Sequence, residues 1–197
     1  MQWWHEPENF TGDGVILTHG AGSNADASPL RALGEGFAQA GSLVLRYDLP
    51  YREARPHGPP FPANQARDRE GIRNAAALMR TRATRVFAGG HSYGGRQTTM
   101  IAAEDPSMAD GLLLLCYPLH PPRRPDQFRT EHFSKLRTPA YFVHGTRDPF
   151  GSPEEMRAAI ALIPARTDLM IVEGAPHGLS PKSAPEIVHR FLKFLTC

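Results

Sequence analysis

Ser92, Asp148 and His177 are three residues whose types, order and surroundings could do chemistry together. Ser92 lies in Gly90-His91-Ser92-Tyr93-Gly94, a G-x-S-x-G pattern with Gly89 ahead of it. An apolar run, 84–88, comes before it and a helix-compatible run, 96–103, comes after. A serine on so sharp a strand-to-helix turn is forced into a strained backbone, and small residues two positions to either side keep other side chains clear. The turn lifts the hydroxyl above the sheet edge, where the amides opening the helix also point. The same five residues suit an ordinary Gly-rich bend or a helix cap, so the reading rests on partners.

A serine hydroxyl is a weak nucleophile until a base takes its proton. Among nine histidines, His177 stands in Gly174-Ala175-Pro176-His177-Gly178, after the last strand-like run and before the final helix-like one. Asp148, in Gly145-Thr146-Arg147-Asp148-Pro149, follows the preceding strand-like run. A carboxylate there fixes the imidazole tautomer and stabilises its cation. Singly, Asp148 is also a good turn starter and His177 a plausible turn residue. Together they run Ser, Asp, His, each just past a strand, which is one of the chain orders known for this constellation.

Acyl transfer also develops negative charge on a carbonyl oxygen, and backbone N–H groups can hold it. Tyr93 N–H is one candidate donor. The loop Gly20-Ala21-Gly22-Ser23 offers the other, Ala21 ahead of Gly20. His19 is read as structural, bonding within its loop. Gly20, His91, Tyr51 and His120 are the candidate pocket residues. His91, His120 and His144 match no ligand spacing, so no metal is expected. The Gly-rich segments are not phosphate loops of the G-x-x-x-x-G-K-[ST] type, and no cofactor is expected.

These residues need a frame that brings strand ends together. Strands are expected at 14–19, 42–47, 84–88, 111–117, 139–144 and 168–172, and helices at 29–40, 64–82, 95–104, 153–163 and 184–195. The strands are near-continuous Val, Ile, Leu and Phe, the mark of a parallel sheet covered on both faces. Alternation of strand and helix predicts an α/β three-layer sandwich in one domain, 1–197. Right-handed crossovers place every strand's C-terminal end, and hence any ligand, at one edge.

Composition narrows the rest. At 197 residues, 41% hydrophobic and 21% charged, the chain is an ordinary globular one. A net charge of +2 with dispersed arginines gives no reason to expect nucleic acid. No apolar run is long enough for a bilayer span, and no targeting segment is seen, so a cytoplasmic protein without membrane partners is expected. Cys116 and Cys197 make no disulfide framework, and Cys116 is read as a buried small hydrophobe. Nineteen prolines is a high count, with clusters at 56–62 and 118–125 read as stiff, and the loops 50–62 and 118–129 are expected to shape a shallow pocket. These carry Tyr51, Arg52, Arg55, His57, Arg123 and Arg124, the arginines being read as solvated surface groups in preference to an anion-binding rim.

The chain resembles the α/β-hydrolase superfamily over nearly all its length. It is similar in particular to a small hydrolase group that includes the testis-expressed protein 30 and NSL-complex subunit 3 type domain. The matching blocks are 18–22, 89–96, 117–122 and 145–151. In size and layout it is also similar to dienelactone hydrolases, which use a cysteine where this elbow has Ser92. The resemblance implies a Ser92–Asp148–His177 triad with donors at Ala21 and Tyr93. Only about a dozen residues precede the first strong strand, so a pruned sheet of about six parallel strands is expected, with a short edge piece near 2–5 and no lid domain. The expected activity is serine-dependent hydrolysis of a small ester or thioester, the partner being a small acyl substrate. The alternatives are a binding or scaffold domain that kept the fold, and a cofactor-free perhydrolase.

Overall fold

The computed structural model describes residues 1–196; Cys197 lies outside the described residues. The strands β1 (Gln2–His5), β2 (Asp13–Thr18), β3 (Leu43–Tyr47), β4 (Arg85–His91), β5 (Gly111–Leu115), β6 (Ala140–Gly145) and β7 (Thr167–Val172) form one seven-stranded sheet in the order β1-β3-β2-β4-β5-β6-β7. β1 runs antiparallel to β3 and all other pairs are parallel. The pruned parallel sheet and its edge piece are therefore present.

The helices are α1 (Ser28–Gln39), α2 (Pro50–Ala54), α3 (Gln65–Arg80), α4 (Tyr93–Glu104), α5 (Pro153–Ile160) and α6 (Ala184–Thr196). Side chains alternate across the pleat, so β5 sends Leu112 and Leu114 into one core and Leu113 and Leu115 into the other. The first core lies under α3, α4 and α5, through Ile72, Ile101 and Met156. The second lies under α1 and α6, where Phe191 meets Phe37 and Phe87 edge-on at 5.8 and 5.7 Å. Such edge contacts add about 0.5–1.5 kcal/mol each beyond the area they bury.

Two departures from the sequence reading bear on the site. Residues expected to be loop at 50–54 form α2, whose first residue, Pro50, has the φ a helix start needs. β4 continues past residue 88 to His91, because Gly89 and Gly90 stay paired with β2 and β5. Ser92 therefore stands between the end of a central strand and the first residue of α4, with no linker on either side. Among the described residues no lid is inserted over this edge, and no helix is long and apolar enough to cross a membrane.

Candidate active site

The Ser92 turn is held by close backbone approach. Ser92 has φ 51° and ψ −113°, a region L-residues rarely enter. Its N–H donates to Leu115 O at 2.8 Å, and Gly94 N–H donates to His19 O at 3.1 Å. A Cβ at Gly90 would lie 2.7 Å from Thr18 O, and one at Gly94 would lie 2.6 Å from His19 O. The spacing of small residues around the serine thus reflects β2 pressing against both arms of the turn.

The structure brings Ser92, His177 and Asp148 together. His177 Nε2 is 2.7 Å from Ser92 Oγ, and its Nδ1 is 2.9 and 2.8 Å from the two Asp148 oxygens. A carboxylate only accepts, so Nδ1 carries the proton and Nε2 offers its lone pair to the hydroxyl. The Asp148 side chain is fully buried, while that of His177 keeps 23% of its surface. Asp148 also accepts from Phe150 N–H at 2.9 Å, and burial together with this carboxylate raises the pKa of the Cys116 thiol. Phe150 stacks on the His177 ring at 4.0 Å. Thr146 and Arg147 N–H donate to Val172 O and Ala175 O, lacing the loops of Asp148 and His177 to each other.

The loop opposite is organised around one carbonyl. Gly20 O accepts from Ser23 N–H at 3.1 Å, His19 Nδ1 at 2.9 Å and the Tyr51 hydroxyl at 3.1 Å. In a trans peptide the N–H points away from the carbonyl, so these donors fix the direction of the Ala21 N–H. Leu49 N–H donates to His19 Nε2 at 3.1 Å, which leaves the proton on Nδ1. His19 is thus the structural histidine expected, and burial lowers its pKa. The Tyr93 N–H, first in α4, has no acceptor within its helix.

The pocket expectations divide. Gly20 and His91 line a cavity of about 230 Å³ beside Ser92. His91 Nε2 donates to His177 O at 2.7 Å, and burial pushes its pKa down to about 4. Tyr51 is not a pocket wall. It is buried, and its hydroxyl, pushed up to about 12 by burial, is used on Gly20 O and Ala21 O. His120 is outside that lining too, and its ring is held by Pro121 O at 2.9 Å and Glu155 at 3.4 Å. Arg52, expected at the surface, is buried. It donates to Ser23 O, Ala21 O, Arg55 O and Gly58 O at 2.7–3.1 Å. Arg55, His57, Arg123 and Arg124 are exposed.

Sequence reasoning missed Phe150, Cys116 and Asp68. Phe150 is two residues from Asp148, a short-range signal that could have been used. Cys116 carries φ 49°, which no pattern revealed. Asp68 accepts from Tyr93 OH at 2.7 Å and Tyr51 N–H at 3.0 Å, joining α2, α3 and α4 beneath the elbow.

Known proteins agree with this geometry at the level of fold. The sequence pattern of the alpha/beta hydrolase domain family matches residues 12–190. Est1E from Butyrivibrio proteoclasticus, solved with ferulic acid, is similar with a TM-score of 0.79 at 17% identity, over 100% of this chain and 95% of that one. A dienelactone hydrolase from Anabaena variabilis superposes at 0.76 and 19% identity, over 99% and 90% of the two chains. A serine hydrolase without a lid from Xanthomonas campestris gives 0.75 and 14%, over 96% and 88%. With the family pattern spanning most of its length, this chain belongs to the alpha/beta hydrolase domain family.

Proposed function

We propose that this chain is a cytoplasmic serine hydrolase that cleaves a small ester or thioester through an acyl-enzyme on Ser92. One observation carries the reading: the unbroken hydrogen-bond chain from buried Asp148 through His177 to a hydroxyl on a strained turn. A merely structural serine has no need of that backbone conformation.

Ser92 Oγ attacks the acyl carbon as its proton passes to His177 Nε2. The carbonyl electron pair moves onto oxygen, where Ala21 and Tyr93 N–H receive it, each worth about 3 kcal/mol by comparison with the loss of one such donor. Collapse breaks the bond to the leaving alcohol or thiol, which takes the proton from His177. Water then attacks the acyl-serine as its proton passes to the same nitrogen, and the second collapse breaks the bond to Ser92 Oγ, which takes that proton back as the acid leaves. Asp148 holds the imidazole tautomer and stabilises its cation.

The narrower likeness to the testis-expressed protein 30 type domain rests on the four sequence blocks and leaves the substrate open. A fluorophosphonate probe tests the reading. Labelling of the native protein at Ser92, absent from Ser92→Ala, is the expected result. Native protein left unlabelled, or equal labelling of the variant, would favour the scaffold alternative.

A further inference from the structure

The cavity of about 230 Å³ lies between the start of α1 and the segment after His177. Its walls include Gly20, Ala27, Leu30, His91, Leu115 and Leu179. Lys, Arg, Asp and Glu are absent from its lining. His91 already donates its Nε2–H to His177 O, and it stays neutral at physiological pH. An uncharged apolar group is what such walls accept.

Its position relates it to the chemistry. His91 and Gly178, both on its wall, are the chain neighbours of Ser92 and His177. Gly20 forms the partition on the other side. A Cβ there would lie 2.7 Å from His91 Nδ1 and 3.4 Å from Ser92 Cβ, so the Gly20 backbone packs directly against the elbow at this wall of the cavity. An acyl chain bonded to Ser92 Oγ therefore has an apolar space next to its point of attachment.

We infer that this cavity is the acyl-chain subsite and that it selects uncharged acyl groups of roughly six to nine carbons, by scale with the ~150 Å³ apolar cavity that holds a benzene ring. The inference rests on the hydrolase reading and adds the substrate class. Ala27, half-buried at the N-cap of α1 without a side-chain bond, and Leu30, on the first turn of α1, set the depth available.

The test is a series of p-nitrophenyl esters from acetyl to lauroyl, run beside a series of alkyl acetates from ethyl to octyl. In the first series kcat/KM is expected to rise about fourfold per methylene to the octanoyl ester and then level off or fall. The alkyl acetates are expected to show no such rise. Ala27→Phe should lower the octanoyl-to-acetyl ratio at least tenfold, and Leu30→Ala should move the optimum to longer chains. Ala27→Phe, at a half-buried position, carries the test if Leu30→Ala does not fold. A flat acyl profile, a rise confined to the alcohol series, or a profile unmoved by Ala27→Phe overturns the subsite and leaves the hydrolase reading standing. Failure to turn over any ester in either series overturns the subsite, and when joined by absence of fluorophosphonate labelling at Ser92 it overturns the hydrolase reading as well.

Discussion

Two histidines stand at the same sheet edge, each within reach of an aspartate, and they are built for opposite ends. His19 Nε2 is 3.6 Å from Asp48, yet its ring bonds Leu49 N–H and Gly20 O and is shut from solvent. His177 bonds a carboxylate at one nitrogen and a hydroxyl at the other, and keeps part of its surface in solvent. Residue type and a nearby acid do not separate them. What separates them is the partner of the second nitrogen. A backbone amide keeps its proton and holds the lone pair occupied, whereas a hydroxyl attacking a carbonyl can hand its proton to that lone pair. His19 then acts on the site only through the peptide whose carbonyl it holds.

Substitution at each end of this contrast should give different signatures. Ser92→Ala and His177→Ala should each lower kcat by roughly 10⁶, measured on the preferred ester, with the urea midpoint of His177→Ala little changed. Asp148→Asn should cost roughly 10⁴ in kcat by leaving the imidazole in the wrong tautomer. Tyr51→Phe removes one donor from Gly20 O and should lower kcat roughly tenfold with KM retained, less than the 10²–10³ of deleting an oxyanion donor outright. His19→Ala should instead appear first in stability, losing about 1–3 kcal/mol from unsatisfied buried backbone groups, read from urea unfolding. If His19→Ala lost activity like His177→Ala while keeping full stability, the contrast would collapse.

A smaller effect is pH-dependent. Burial pushes the pKa values of His91 and His132 down to about 4 from an unfolded value of 6.5. Below 6.5 the unfolded chain takes up protons that the folded one refuses, so stability is whole above that pH and declines as pH falls toward 4. Urea midpoints at pH 7.5 and 5 should show the decline, and His132→Gln should flatten it. A midpoint independent of pH over this range would contradict the burial of these rings.

The contrast also marks what was legible in the sequence. Ser92, Asp148 and His177 could be read because each follows a strand-like run, and parallel topology sends all strand ends to one edge. The layers and the parallel order followed from continuous apolar strands. Tyr51 and Arg52 were misplaced because α2 is one short turn among prolines, too brief to show a period. His120 was misplaced because sequence position puts it near a strand end, while its side chain is taken up by Glu155 on α5. Of the cavity only Gly20 and His91 could be read, since its apolar walls come from α1, β5 and the segment after His177.

The backbone of Ser92 has a thermodynamic side. A non-glycine residue at φ 51°, ψ −113° costs on the order of 1–3 kcal/mol, and the hydroxyl returns a single hydrogen bond, to His177. Glycine adopts positive φ freely, at an entropic cost of about 0.5–1 kcal/mol, so Ser92→Gly should fold more stably than the protein it inactivates. The proposed nucleophile is thus a burden the rest of the fold sustains. Were this edge only a binding scaffold, drift toward glycine at 92 would meet no resistance from stability, and the serine's presence there counts in favour of chemistry.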